Sequence, residues 1–223
     1  MIPKHYYLMV DTETCGELES PFVYDCGIAI VDRKGKVYAK YSFVVGEVFY
    51  GMADLMKSVY YSEKLPQYHK DIAVGKRKVI SWCYLENIFT ALISKWNITA
   101  VVAHNARFDV NALNHTATYF NNGIKKYVFP YDMPIWCTLT MARQIFWNKP
   151  TYKDFCDKYS LYTPARHQMS LTAENLYRFI TRDYDFKESH TGLEDVMIEK
   201  EILIYMLRQK KKIRKTYYKE RAV

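Results

Sequence analysis

Tyr6-Tyr7-Leu8-Met9-Val10-Asp11, continuing into Thr12-Glu13-Thr14, is the stretch on which the fold turns. An apolar run that ends on acids reads as a short buried strand whose polar end reaches the edge of a core. Working outward, Val23 to Val31 predicts a second strand and Lys36 to Val45 a third. Asp32-Arg33-Lys34-Gly35 joins them as a hairpin, with glycine where a positive φ is wanted. Ala100-Val101-Val102-Ala103 is apolar without alternation, the mark of a parallel strand buried on both faces. Pro134 to Cys137 predicts a last strand. Trp82, Leu85, Phe89, Leu92 and Trp96 fall on one helical stripe behind Ser81 as N-cap, and Ala106, Val110, Leu113, Ala117 and Phe120 on another. Further helices are expected over 138–146 and near 151–159, 170–180 and 192–210. Met52, Leu55, Met56 and Val59 suggest a short helix, and the chain through Lys76-Arg77-Lys78 reads as a polar connection. These elements make an α/β fold: a mixed sheet of an antiparallel hairpin plus parallel strands, flanked by helices.

The chain has 223 residues, 49% hydrophobic and 25% charged, which suits one domain with a real core and excludes collagen, coiled coil and disorder. No repeat or Gly/Ser/Pro linker divides it, so residues 1–207 form a single domain. No run approaches a membrane span, and Met1 to His5 lacks a signal-peptide pattern. The cysteines Cys15, Cys26, Cys83, Cys137 and Cys156 are scattered and odd in number, which points to reduced thiols and a cytoplasmic location rather than disulfides or zinc. Of the net charge of +8, residues 208–223 carry +7, eight basic residues against Glu220. They read as a basic C-terminal tail, solvated unless it meets phosphate.

Three clusters carry chemistry. Asp11 and Glu13 are two apart on a strand, so both point one way; two such acids resist ionisation unless a hard cation neutralises them. In His104-Asn105-Ala106-Arg107-Phe108-Asp109, Asn105 is expected to cap a helix, which places Asp109 one turn in, against the sheet, where a carboxylate needs a partner. In Ser189-His190-Thr191-Gly192-Leu193-Glu194-Asp195, Thr191 and Glu194 form a capping box, so the last helix should start at Gly192. His190 then sits on the preceding loop and Asp195 in the first turn.

Together the clusters resemble the DEDDh 3′–5′ exonucleases, the family of ribonuclease T and the proofreading subunits of bacterial replicative DNA polymerases. Asp11-Thr12-Glu13-Thr14-Cys15-Gly16 looks like the first motif, His104 to Asp109 the second and His190 to Asp195 the histidine form of the third. Cys137-Thr138-Leu139-Thr140-Met141-Ala142-Arg143 looks like the strand-to-helix segment, with Cys137 where an Asp is frequent. The resemblance implies a ribonuclease H-like sheet and a two-metal phosphodiester hydrolase. Asp11, Glu13, Asp109 and Asp195 would hold two Mg²⁺ or Mn²⁺ ions, and His190 would be the general base. Thr14, His104 and Asn105 would lie near the terminal nucleotide. The implied reaction releases nucleoside 5′-monophosphates from single-stranded 3′ ends, with DNA favoured and RNA the close alternative. A DNA polymerase or replication complex is the implied partner. The alternative of another class is a catalytically silent nucleic-acid-binding module on the same fold.

Overall fold

The computed structural model describes residues 5–57 and 59–218. At its centre is a six-stranded sheet in the order β4-β3-β2-β1-β5-β6. β1 (Tyr6–Cys15) pairs antiparallel with β2 (Phe22–Asp32), and β2 antiparallel with β3 (Val37–Val45). β4 (Lys78–Ile80), β5 (Ile98–Ala103) and β6 (Ile135–Cys137) run parallel to β3, β1 and β5. Alternation along β1 divides the core in two. Leu8 and Val10 face the layer of α4 (Trp82–Trp96) and α5 (Ala106–Phe120). Tyr7 and Met9 face α6 (Thr138–Phe146), α7 (Pro150–Tyr159), α8 (Ala173–Thr181) and α9 (Gly192–Arg208). The expected mixed sheet flanked by helices is the fold this chain adopts.

Local rules hold where the pattern is periodic. In the hairpin turn Gly35 has φ +89°, and Asp32 Oδ1 accepts the Lys34 and Lys36 amides at 2.8 and 3.1 Å. Ser81 Oγ accepts the Tyr84 amide at 3.2 Å, capping α4 as expected. Two caps differ. Asn105 adopts the left-handed conformation at φ 56°, and its side chain caps nothing. The Thr191 amide donates to Asp195 Oδ2 at 2.9 Å, not to Glu194, while the Thr191 hydroxyl donates to Glu194 Oε2 at 2.8 Å. The helix expected near 170 begins only at Ala173, behind Thr172 as its N-cap.

The segment from 46 to 80 departs most from its sequence reading. It folds into the short α1 (Gly46–Phe49) and α2 (Ala53–Met56), then α3 (Leu65–Ala73) and edge strand β4. Arg77, from the basic run that reads as solvated, is 2% exposed. Its guanidinium donates to Asp71 Oδ2 at 3.0 Å, Ser42 Oγ at 3.0 Å and Glu194 Oε2 at 3.1 Å, and lies 3.4 Å from Asp25 Oδ2. Asp25 Oδ2 also accepts the Tyr68 hydroxyl at 2.6 Å and the Gly192 amide at 2.9 Å. A buried charge needs such partners, since leaving one unpaired costs about 3–5 kcal/mol. This network ties β2, β3 and α3 to the first turn of α9.

Close approach finishes that docking. Gly27 lies opposite Asp11 in the β1–β2 ladder, and a Cβ built on it would meet the Gly192 carbonyl carbon at 2.1 Å. Only a bare backbone lets α9 start directly over β2, beside the strand that carries Asp11.

Beyond Arg208 the chain turns back along the sheet. Thr216 bridges Trp136 antiparallel, and the Cys137 amide donates to the Lys215 carbonyl at 2.7 Å. Gln144 clasps Arg214 on both sides, Nε2 donating to its carbonyl at 2.8 Å and Oε1 accepting its amide at 3.0 Å. Residues 209–218 therefore form a strap over edge strand β6, an edge that would otherwise offer unpaired backbone groups. Lys219, Glu220 and Arg221, counted above with the tail, lie outside the described residues. All five cysteines are free, and no helix among the described residues is long and apolar enough to cross a membrane.

Candidate active site

The ends of β1 and β5 and the start of α9 open onto one cavity of about 560 Å³. Asp11, Glu13, Asp109, Asp195, His190, His104 and Asn105 all line it. Thr14 is not among its lining residues: a bulge between Glu13 and Thr14 shifts the β1–β2 register there.

Asp11 and Glu13 share the face that α9 covers, and one carboxylate oxygen from each of Asp11, Glu13 and Asp195 lies within 4.8 Å of the others. Asp195 is oriented from its own helix start, with Oδ2 on the Thr191 amide at 2.9 Å and Oδ1 on the Ser189 hydroxyl at 3.3 Å. Asp109 stands outside that trio, on the cavity wall. Its Oδ1 accepts both the amide and the hydroxyl of Thr12, at 3.1 and 2.9 Å, and no hydrogen bond occupies Oδ2 among the described residues.

Two acids escaped the sequence reading. Glu199 sits one turn past Asp195 on α9, is 3% exposed, and its Oε2 has no hydrogen-bond partner among the described residues. Glu188 lines the cavity from the loop before His190. The i, i+4 spacing of Asp195 and Glu199 was the available signal, but Glu199-Lys200-Glu201 has the look of a solvated face.

Among the described residues six carboxylates thus line the cavity, against Arg143 as its one lysine or arginine. Burial and mutual repulsion push them toward the protonated form. Glu13 rises to about 9 and Asp195 to about 8, each first by burial and then by neighbouring acids. Burial alone lifts Asp109 to about 7, against the hydrogen bonds from Thr12. Asp11 and Glu199 are also raised well above the ordinary carboxylate range, again mainly by burial. Hard oxygen donors this crowded, one of them orphaned, suit a small divalent cation such as Mg²⁺ or Mn²⁺.

A pH-dependent stability follows. An acid raised on folding stabilises the fold fully below its unfolded value, about 4, and loses that contribution as pH climbs to its folded value. For Asp109, Asp195 and Glu13 the window closes at about 7, 8 and 9. In chelator the melting temperature should fall as pH is raised from about 5 to 9. Saturating Mg²⁺ or Mn²⁺ should flatten the profile by holding the carboxylates ionised. A flat profile in chelator would show that the acids are not forced together in solution.

The two histidines differ. His104 is held at both ring nitrogens, Nδ1 against Thr138 Oγ1 and Nε2 against the Leu171 carbonyl, each at 2.9 Å. A carbonyl only accepts, so Nε2 carries the proton. Burial, with Arg143 nearby, lowers its pKa to about 4, and it stays neutral. Its ring pins β5 to α6 and to the loop before α8, which leaves only its face to a ligand. His190 has φ 53°, left-handed backbone that a non-glycine residue adopts at a cost. Its ring stacks on Tyr61, centroids 3.9 Å apart and planes 8° from parallel. The sequence reading places His190 on the loop before α9; Tyr61, from the segment read least well, holds it there. Burial lowers the His190 pKa, and the charges acting on it most are Glu174, Lys64 and Glu63.

More than nine tenths of the chain aligns in space with known structures. E. coli Exonuclease I bound to a dT13 oligonucleotide matches with a TM-score of 0.53 at 13% identity, covering 93% of this chain and 40% of that one. The fold is that of one part of Exonuclease I. The Methylocaldum szegediense Exonuclease I gives a TM-score of 0.52 at 15% identity, over 92% of this chain and 41% of that one. Exonuclease X in complex with 5′ overhanging duplex DNA aligns over 92% of both chains at 18% identity with a TM-score of 0.41. This chain spans about two fifths of the Exonuclease I chains it matches. No family model and no curated protein matches the sequence. What is shared is thus the mixed sheet and its flanking helices, the ribonuclease H-like arrangement expected above.

Proposed function

We propose that this chain is a divalent-metal-dependent 3′–5′ exonuclease that releases nucleoside 5′-monophosphates from single-stranded 3′ ends, DNA before RNA. The observation that carries this reading is the convergence of Asp11, Glu13 and Asp195 at one end of the sheet, on a fold shared with Exonuclease I. Exonuclease I is bound to dT13 in one of its structures and to dA16 in another, which supports DNA as the strand. A replication-complex partner is carried by the motif resemblance alone.

Asp11, Glu13, Asp109 and Asp195 would hold the ions, Asp109 through the Oδ2 that Thr12 leaves unoccupied. When bound, two such ions would supply Lewis-acid stabilisation of the charge that builds on the scissile phosphate and the leaving oxygen. Every other task falls to the chain. The Thr191 amide and Ser189 hydroxyl aim Asp195, and Glu199, buried one turn further along α9, backs the floor of the cavity. Phe108, Leu139 and Met169 give the terminal nucleotide apolar walls, with Trp147 at the rim. His190 takes a proton from the attacking water on a ring nitrogen. The P–O3′ bond then breaks, which leaves a 5′-phosphate on the released nucleotide and a 3′-hydroxyl on the shortened strand.

Digestion of matched DNA and RNA, single- and double-stranded, with free or blocked 3′ ends tests this. Mononucleotides should appear from free single-stranded 3′ ends with Mg²⁺ or Mn²⁺ and cease in chelator. Strand binding without cleavage under every divalent metal would replace the enzyme with a binding module.

A further inference from the structure

Beside the acidic cavity lies a second one of about 520 Å³ that shares Asn105, Leu139 and Arg143 with it. Its chemistry has the opposite sign. Arg107 from α5, Arg143 from α6 and Arg214 from the C-terminal strap line it, with Tyr217 and Tyr218, and no carboxylate does so among the described residues. Arg77 and Arg178 are taken up by acids, whereas Arg107, Arg143 and Arg214 pair with none among the described residues. Two helices also begin here. Residues of the first turns of α5 and α6 line the wall, and neither N-cap side chain, of Asn105 or of Cys137, accepts a bond from its helix. Uncapped amides carry the positive end of each helix dipole, so both termini add to the arginine field.

Three unpaired guanidinium groups converging with two uncapped helix starts make an oxyanion site, and Arg forks fit phosphate oxygens two at a time. We infer that this cavity binds an internal phosphodiester of the strand whose 3′ end occupies the acidic cavity, and that the strap builds the site by delivering Arg214. The shared wall makes the two cavities one path: reacting phosphate among the acids, a later phosphate among the arginines. The direction of the strand rests on the exonuclease reading; the phosphate site itself does not. The same oxyanion chemistry would take inorganic phosphate or a free nucleotide, and the test separates these.

Arg214 is the residue to change, because its backbone holds the strap through Gln144 while its side chain is exposed. Binding of labelled oligothymidylates from dT2 to dT8 is measured in chelator, so that no cleavage intervenes, beside thymidine 5′-monophosphate and inorganic phosphate. Affinity of the unaltered protein should rise with length. Arg214→Ala should weaken the longer strands about fivefold, and Arg107→Ala with Arg214→Ala about twentyfold. Each loss should lower the slope of log affinity against log salt by about 0.7. Arg214→Lys should restore most of the slope and less of the affinity, since it returns charge without the fork. Mononucleotide and phosphate binding should not change. Equal weakening for thymidine monophosphate would assign the cavity to free phosphate and overturn the strand site. Unchanged affinity and slope in variants with normal melting would remove the site altogether. If the protein binds strands in this way but cleaves none, the exonuclease reading fails and the phosphate site stands.

Discussion

Replacing Asp11 with alanine should abolish nucleotide release while single-strand binding stays within about twofold of the unaltered protein, because stacking and phosphate contacts do not pass through the acids. Asp11 stands at the meeting point of the site. It pairs across the ladder with Gly27, lies under the first turn of α9, and shares a ligand-sized space with Glu13 and Asp195. Losing one carboxylate of such a centre removes several kcal/mol of stabilisation from the charge on phosphate, so turnover should drop about 10³-fold or more. The effect on stability has the opposite sign. Asp11 is forced upward by burial first and by Glu199, Asp109, Glu13 and Asp195 after it, so its removal relieves repulsion. In chelator at neutral pH the variant should melt higher than its parent, and added Mg²⁺ should raise its melting temperature less. Mononucleotide release, fluorescence anisotropy and thermal melting read these three effects separately. Turnover within tenfold of the parent in Mg²⁺ would sink the proposed metal centre.

How far the sequence led toward this site depended on whether physics left a periodic trace. β1, the hairpin, β5 and the stripes of α4 and α5 were legible because apolar residues recur at strand or helix spacing. Asp11 and Glu13 followed from strand alternation, and His190 from its place before a helix start. The segment from 46 to 80 was not legible. β4 has three residues and buries only Ile80, too little for a pattern, and it follows a basic run that looks solvated. Arg77 belongs to that run and is nonetheless buried, because its partners Asp25, Ser42 and Glu194 come from distant parts of the chain. Tyr61 is one of 21 tyrosines, and nothing local marks it as the ring on which His190 rests. Glu199 looks like an exposed acid until α9 is docked. The strap shows the same limit: charge composition reports that residues 208–218 are basic, but its contacts with β6 depend on the edge that the sheet leaves open.

His190→Ala is expected to lower kcat by about 10²–10⁴-fold, the usual range for loss of a positioned base, while leaving metal and strand affinity near their original values. His190 lines the cavity, yet its ring rests on Tyr61, and the charges that act on it most are not the four acids. In the state described here it stands aside. Serving as base requires a turn of the loop, and the left-handed backbone at His190 is a strained point at which such a turn would relax. The pH profile reads the same group. Burial lowers the His190 pKa, so the base stays free to somewhat below the ordinary value near 6.5. The rate of the unaltered protein should fall as pH drops through that lowered value, because a protonated imidazole cannot accept a proton. His190→Ala should lack this limb and keep any limb that belongs to the carboxylates. Tyr61→Leu removes the stacking platform but not the base, so it should retain the limb while changing kcat far less. Near-normal turnover in His190→Ala, or an unchanged acid limb, would strike His190 from the catalytic residues and leave water activation to the metal centre alone.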